Sequence, residues 1–244
     1  MTDSISKWLG GVVFTPGLMA FTGEIGATAA HSHAAVQVLL VTRGELTLVD
    51  GSGNAGRADL AIIPPGVRHE VRVAAGTAGF LAYLDPAGVA GRAAVARLAD
   101  RPADQVQSWI AAAIPTSHGY PLRDSAITLP RRAAHPVVIA AMESADAGPV
   151  GPPALGELAR RVAMSPSRLS HLFAAEVGLP YAAWRRWTRL RRAIDQVRAG
   201  RSLTEAAHAA GFSDSAHLTR TCRDLFGITP TEALLATGWR RTPG

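Results

Sequence analysis

Two segments decide the fold of the C-terminal half: Leu155-Gly156-Glu157-Leu158-Ala159-Arg160-Arg161 leading into Ser165-Pro166-Ser167-Arg168-Leu169-Ser170-His171-Leu172-Phe173, and Leu203-Thr204-Glu205-Ala206-Ala207 leading into Asp214-Ser215-Ala216-His217-Leu218-Thr219-Arg220. Each predicts a short helix, a tight turn and a second helix. The starts are marked by side chains that can satisfy free backbone N–H groups: Ser165 ahead of Pro166, and Asp214 or Ser213 ahead of Ser215. Ser202-Leu203-Thr204-Glu205 and Thr229-Pro230-Thr231-Glu232 fit the reciprocal Ser/Thr–Glu capping box. Gly178, Gly200 and Gly227 stand where helices should stop. Between the copies, Tyr181–Arg198 predicts one helix about 27 Å long at 1.5 Å per residue. A rigid spacer of that length can set two reading helices near successive major-groove faces, about 34 Å apart.

Within each copy the apolar period separates an inner from an outer face. Leu169, Leu172, Phe173 and Val177 form the inner stripe of the first second-helix, which turns Ser167, Ser170 and His171 outward. Leu218, Cys222 and Leu225 or Phe226 do the same in the second copy and leave Ser215, Ala216, Thr219 and Arg220 outside. The arginines of the spacer, Arg185, Arg186, Arg189, Arg191 and Arg192, are expected to be solvated or to face phosphates rather than to read bases.

Charge supports a polyanionic partner for this half alone. Residues 131–244 hold 16 Lys+Arg against 9 Asp+Glu, a net +7, whereas residues 1–130 hold 9 against 10, a net −1. The basic surplus coincides with the repeated motif, as phosphate neutralisation requires. At 244 residues and 48% hydrophobic content the chain can build two domains. The single cysteine, Cys222, excludes an intramolecular disulfide framework and any multi-cysteine zinc site. Met1–Lys7 lacks the pattern of a secretion signal and no run approaches the roughly 18 apolar residues of a membrane span, so a cytoplasmic protein is expected.

The N-terminal half reads as β. Short branched runs at 36–41, 45–49, 60–63 and 79–83 are separated by turn residues such as Asp50-Gly51-Ser52-Gly53-Asn54 and Pro64-Pro65-Gly66, and predict a small barrel or double-sheet jelly roll between Val12 and Tyr83. Helices follow, one over Arg92–Ala99 and one starting near Pro102 with its stripe on Val106, Trp109, Ile110, Ala113 and Ile114. This pair is expected either to pack back on the barrel or to form a dimer interface. Residues 115–130 read as surface loop and linker, with a domain boundary near 130. The expected class is α+β in two domains, 1–130 and 131–244.

Leu169-Ser170-His171-Leu172-Phe173, Gly178-Leu179-Pro180-Tyr181, Gly211-Phe212-Ser213-Asp214 and Phe226-Gly227-Ile228-Thr229-Pro230 resemble the AraC/XylS regulators over about 100 residues, from near Pro136 to Leu235. The resemblance implies an all-α domain with two helix-turn-helix units whose second helices enter adjacent major grooves. It carries DNA contact onto Ser167, Ser170, His171, Ser215, Ala216, Thr219 and Arg220. Operator DNA is the implied partner, with RNA polymerase and a second copy of the chain as candidates. Two positions depart from the family: His171 stands where Arg is frequent, and Cys222 where Phe is usual, leaving room in the second core.

His31-x-His33-x3-Gln37-x6-Gly44 and Pro64-x-Gly66-x2-His69 resemble the two cupin motifs, with Gln37 in place of glutamate. Residues two apart on a strand face the same way, so His31 and His33 are expected to share a cavity. The resemblance implies a metal site of His31, His33, Gln37 and His69, for which zinc, nickel, iron and copper are candidates because imidazole suits each of them. The same histidines could instead line an organic effector's pocket. Together these features lead to a transcriptional regulator whose cupin-like domain senses a small molecule or metal ion. A metal-dependent cupin enzyme, of the dioxygenase or isomerase type, fused to a DNA-binding module is the alternative, and neutral Gln37 argues against it. A barrel used only for dimerisation is a third reading.

Overall fold

The computed structural model describes residues 8–114, 135–146, 148, 151–177 and 179–236. Strands β1 (Leu9–Thr15), β2 (Leu18–Glu24), β3 (Thr28–His31), β4 (Val36–Arg43), β5 (Leu46–Asp50), β6 (Ala55–Arg57), β7 (Leu60–Ile63), β8 (His69–Val73) and β9 (Ala78–Leu84) form two antiparallel sheets. One runs β1-β2-β9-β4-β7 and the other β3-β8-β5-β6. Register fixes which side chains share a face. Phe21 pairs with Leu81, Leu81 with Leu39 and Leu39 with Ala61, a row of four buried apolar residues across the five-stranded sheet. Two residues along β4 on the same face, Gln37 pairs with Tyr83 and Ile63. The alternation therefore places one amide inside an apolar row.

The β expectation between Val12 and Tyr83 holds, with limits at Leu9 and Leu84. The two following helices are shifted. α1 covers Val89–Ala96 and α2 covers Val106–Ala113, so the second begins four residues beyond Pro102. Residues 102–105 are turn instead, because the helix start is set by a carboxylate from β5: Asp50 Oδ2 accepts the Val106 N–H at 3.3 Å, where negative charge favours a helix N-terminus. α2 packs back on the sheets against β7, β6 and β5. Trp109 is fully buried there, and its indole N–H donates to the Ala103 carbonyl at 2.7 Å. The expected linker at 115–130 and the boundary near 130 lie outside the described residues.

The helical half contains α3 (Pro136–Asp146), α4 (Leu155–Arg161), α5 (Pro166–Val177), α6 (Tyr181–Arg198), α7 (Leu203–Ala209), α8 (Ser215–Phe226) and α9 (Pro230–Ala236). Its two helix pairs have different cores. α3, α4 and α5 close over Phe173, which meets Tyr181 and Trp184 of α6 at ring separations of 5.3 and 5.4 Å. The second pair shares the core of the sheets instead: Phe14 of β1 meets Trp187 at 5.4 Å and Phe226 at 5.8 Å. The division falls between Trp184 and Trp187, three residues apart on the same long helix. The α7–α8 pair and the β-sheets are thus one packed unit.

Candidate nucleic-acid interface and metal centre

The caps of both helix pairs are in place. Ser165 Oγ accepts the Arg168 N–H at 3.3 Å at the start of α5. Before α7, Ser202 and Glu205 complete a capping box, and Thr229 with Glu232 forms a second one before α9. Of the two residues that could cap α8, Asp214 does so, its Oδ1 accepting the His217 N–H at 2.6 Å. That bond, ahead of the Ser213 hydroxyl and the charge of Arg220, holds the Asp214 carboxyl below the usual range. Gly200 and Gly227 adopt φ of +90° and +72° at the helix ends, conformations that cost an L side chain energy. The third expected stop, Gly178, lies outside the described residues.

The outer faces are as the periodicity requires. Ser167 and His171 on α5 and Ala216 and Arg220 on α8 are exposed, while Ser170, Ser215 and Thr219 are half-buried. Thr219 donates its hydroxyl to the Ser215 carbonyl at 2.8 Å, which leaves oxygen lone pairs and a methyl group for an outside partner. Arg220 enters no salt bridge among the described residues.

The α6 arginines depart from expectation. Arg185 donates to the Pro152 carbonyl at 2.9 Å, Arg192 to the Gly148 carbonyl at 3.1 Å, and Arg186 to Asp85 Oδ2 at 3.0 Å. Arg189 is half-buried, and desolvation, with the neighbouring Arg185 charge, pushes its guanidinium below the usual value. α6 runs between two cores, so few of its faces remain for solvent. Arg185, Arg186 and Arg192 tie the helix to its neighbours.

The three histidines converge. His31 ends β3 opposite His69, the first residue of β8, and their ring centroids lie 4.3 Å apart. His33 lies 5.0 Å from His69 and 5.6 Å from His31, and one ligand atom from each ring falls within 4.8 Å of the others. The pleat does not bring His33 there, since β3 stops at His31. His33 arrives from the following loop and is held by Gln37 and by the Tyr83 ring 5.2 Å away.

Backbone carbonyls set the tautomers. The Nδ1 atoms of His31, His33 and His69 face the carbonyls of Ala29, Ala35 and Val67 at 2.9, 3.0 and 3.1 Å. A carbonyl only accepts, so each Nδ1 carries the hydrogen and each Nε2 of the neutral ring offers a lone pair. Burial, then the neighbouring imidazoles His33 and His31, lowers His69 to about 3, and burial is also the main cause lowering His33. The Nε2 of His69 is buried without a hydrogen-bond partner among the described residues, and that of His33 lies 3.0 Å from Gln37 Oε1. Two lone pairs facing each other at that distance require either a rotated Gln37 amide that donates or a cation between them. The chemistry of these donors suits a divalent transition metal; tetrahedral ligand atoms at bonds of about 2.1 Å lie roughly 3.4 Å apart, so imidazole atoms spread over as much as 4.8 Å would draw together around an ion. The carbonyl contacts would serve as the orienting outer shell of such a site.

Several residues that matter here carry no motif. Asp85 receives Arg186 and the Trp187 indole; Asp50 sets the start of α2; and the loop that bears His33 touches α8, Ala34 N–H donating to the Asp224 carbonyl. Gly227 lies against His31, where an added Cβ would come within 2.5 Å of the ring. Chain-distant contacts of this kind leave no local periodic signal.

Residues 158–235 match the family model described as a helix-turn-helix domain. Over 78 residues, 32% of this chain, the sequence is 38% identical to the bifunctional transcriptional activator/DNA repair enzyme Ada of Escherichia coli, of which the match covers 22%. It is 30% identical over 79 residues to the arabinose operon regulatory protein of Salmonella typhimurium, again 32% of this chain and 28% of that protein. The chain thus spans less than a third of the length of these curated relatives. Among solved structures, a transcriptional regulator with an AraC-type DNA-binding domain from Chromobacterium violaceum is 29% identical, covering 45% of this chain and 96% of that one with a TM-score of 0.37. Residues 158–235 thus carry a helix-turn-helix domain, a DNA-binding module, similar to that of the arabinose operon regulator. No helix among the described residues is long and apolar enough to cross a membrane.

Proposed function

We propose that this chain is a cytoplasmic, sequence-specific transcriptional regulator in which the two-sheet half acts as a cupin-like sensor and α5 and α8 read adjacent major grooves of one operator. The observation that carries the reading is the pair of capped helices with exposed polar faces on a domain of AraC type. Ser167, Ser170 and His171 contact DNA from α5, and Ser215, Ala216, Thr219 and Arg220 from α8. Selection of binding sites from a randomised duplex pool tests this: two sub-sites centred about 10 bp apart are expected. A single sub-site per chain overturns the two-reader arrangement.

His31, His33, Gln37 and His69 hold the sensed metal ion, with zinc, nickel, iron and copper as candidates. Support comes from three neutral imidazoles directed by carbonyls and from the unpartnered Nε2 of His69. Neutral Gln37 contributes an amide oxygen where the cupin motif has a carboxylate, which weakens a catalytic Fe(II) or Mn(II) site and favours sensing. Elemental analysis of untagged protein supplied with Ni(II) or Zn(II) is expected to give one equivalent; a value far below one sinks the metal assignment. Promoter DNA, RNA polymerase and a second protomer are the remaining partners of this reading.

A further inference from the structure

A cavity of about 440 Å³ lies where the inner face of the five-stranded sheet meets the second helix pair. Trp8, Phe21 and Tyr83 line it from the β half and Leu218, Cys222 and Phe226 from α8. Packed interiors contain few voids larger than a water molecule, and a volume of this size between two domains falls within the range of small-molecule sites. The space has a local cause in the sequence: Cys222 is a small residue at a position the family resemblance fills with Phe.

The walls define the chemistry of the occupant. Among the described residues no Lys or Arg lines the cavity; the ionisable groups there are the half-buried His31, the Tyr83 phenol, the Cys222 thiol and Glu232, whose carboxylate already accepts the Thr229 N–H. Burial raises the phenol and brings the thiol to about 12, so both are neutral near pH 7. A carboxylate or phosphate would lose its hydration with no cation to receive it. Ring edges recur around the space, with Trp8 meeting Phe21 at 5.2 Å and Tyr83 meeting Phe226 at 5.7 Å, an environment that suits a flat or cyclic hydrocarbon body. Polar capacity is small but present: Thr28, in the same wall, keeps a buried Oγ1 with no hydrogen-bond partner among the described residues.

We propose that this cavity binds an uncharged, ring-containing organic molecule of roughly 10–20 non-hydrogen atoms, bearing a hydroxyl or carbonyl group, at a place separate from any ion among the imidazoles. The occupant touches Leu218 and Cys222 on the face of α8 away from Arg220, so it acts on one reading helix through its inner side. This regulatory consequence rests on the assignment of α8 to DNA. The filled and empty states must pack α8 differently for the ligand to shift DNA binding.

N-phenyl-1-naphthylamine, an uncharged fluorophore that brightens in apolar sites, tests the cavity in the full chain with chelator present. Saturable binding of one probe per chain is expected, retained in Cys222→Ala and weakened at least tenfold in Cys222→Phe, with Ile228→Trp as a second filling variant should that one fail to fold. The sulfonated analogue 8-anilinonaphthalene-1-sulfonate is expected to bind at least tenfold more weakly. Absence of saturable binding, equal binding by a folded filled variant, or equal binding of the anionic probe overturns the proposal. Parallel titration with random duplex DNA separates the two readings: probe binding without DNA binding leaves the cavity standing and removes the regulator.

Discussion

The Trp187 indole N–H donates to Asp85 Oδ2 at 2.7 Å, joining residues 102 positions apart across the junction of the β half and α6. Asp85 is 2% exposed, and the same oxygen receives Arg186 at 3.0 Å while Oδ1 accepts the Ala87 N–H at 2.9 Å. A buried carboxylate with three donors couples the end of the last strand to α6, the helix that joins the two helix pairs. Removing it strands Arg186 and the indole, so Asp85→Ala should destabilise the protein by about 3 kcal/mol. Arg186, whose side chain is 42% exposed, is replaceable at under about 1 kcal/mol because water screens the pair. Urea unfolding of the two variants measures the contrast; equal losses would show that the Asp85 contact is not the one that matters.

Asp50 gives a pH dependence with a defined sign. Burial pushes its carboxyl up, but the Asn54 amide and the backbone N–H groups of Val106, Asn54 and Ser52 outweigh burial and leave it below the ordinary carboxylate value. The folded state therefore binds the proton less well than the unfolded chain. The stabilisation is complete above the unfolded value and is lost as pH falls through the folded one. Asp50→Asn should lower the Tm at pH 6, and the gap to wild type should close as pH falls below about 4. A gap that stays constant with pH would assign the effect to shape rather than charge.

Arginines on α6 and α8 should separate by type of effect. Arg220 is exposed and outside any described salt bridge, so Arg220→Ala should cost about 1–3 kcal/mol of specific binding, relax one operator position and leave the Tm unchanged. Arg185 and Arg192 donate to carbonyls of the segment before α4, so their alanine variants should lower the Tm first. Competition between selected and random duplexes, read beside thermal melts, distinguishes the two. Equal loss on both duplexes would make Arg220 a phosphate contact.

These contrasts follow the line between what local sequence carries and what it does not. α6 was legible to the residue because Pro180 precedes it and Gly200 ends its turn with positive φ, and the Ser202–Glu205 and Thr229–Glu232 boxes encode their own contacts. β4, β5, β7 and β9 announce themselves through branched runs. β3 does not: Thr28–His31 contains Ala29 and Ala30, poor strand formers that lie at a register shift between Thr28, paired with Val71, and His31, paired with His69. The four candidate residues His31, His33, Gln37 and His69 carry a spacing, yet the loop path of His33 and the neighbouring Tyr83 depend on how the sheets meet. Asp85 reads only as part of an Asp-Pro turn until the two halves are packed together, and Arg185 and Arg192 read as a charged surface until α6 meets the segment before α4.

Gln37 is the position at which the histidine cluster can be tuned. Its Oε1 lies 3.0 Å from His33 Nε2, within the spacing of neighbouring ligands on one ion, but the amide has no charge. Gln37→Glu restores the carboxylate of the cupin motif and should tighten Ni(II) or Zn(II) binding at least tenfold in competition with a fluorescent chelator. Without metal, the same variant places a carboxylate in a site where Gln37 is 2% exposed, so its apo form should melt below wild type. Metal at 100 times its Kd should add about 2.7 kcal/mol of stability to either protein. His69→Ala removes the donor that has no other partner and should abolish that gain. A metal-dependent rise in Tm that survives His69→Ala would place the ion elsewhere.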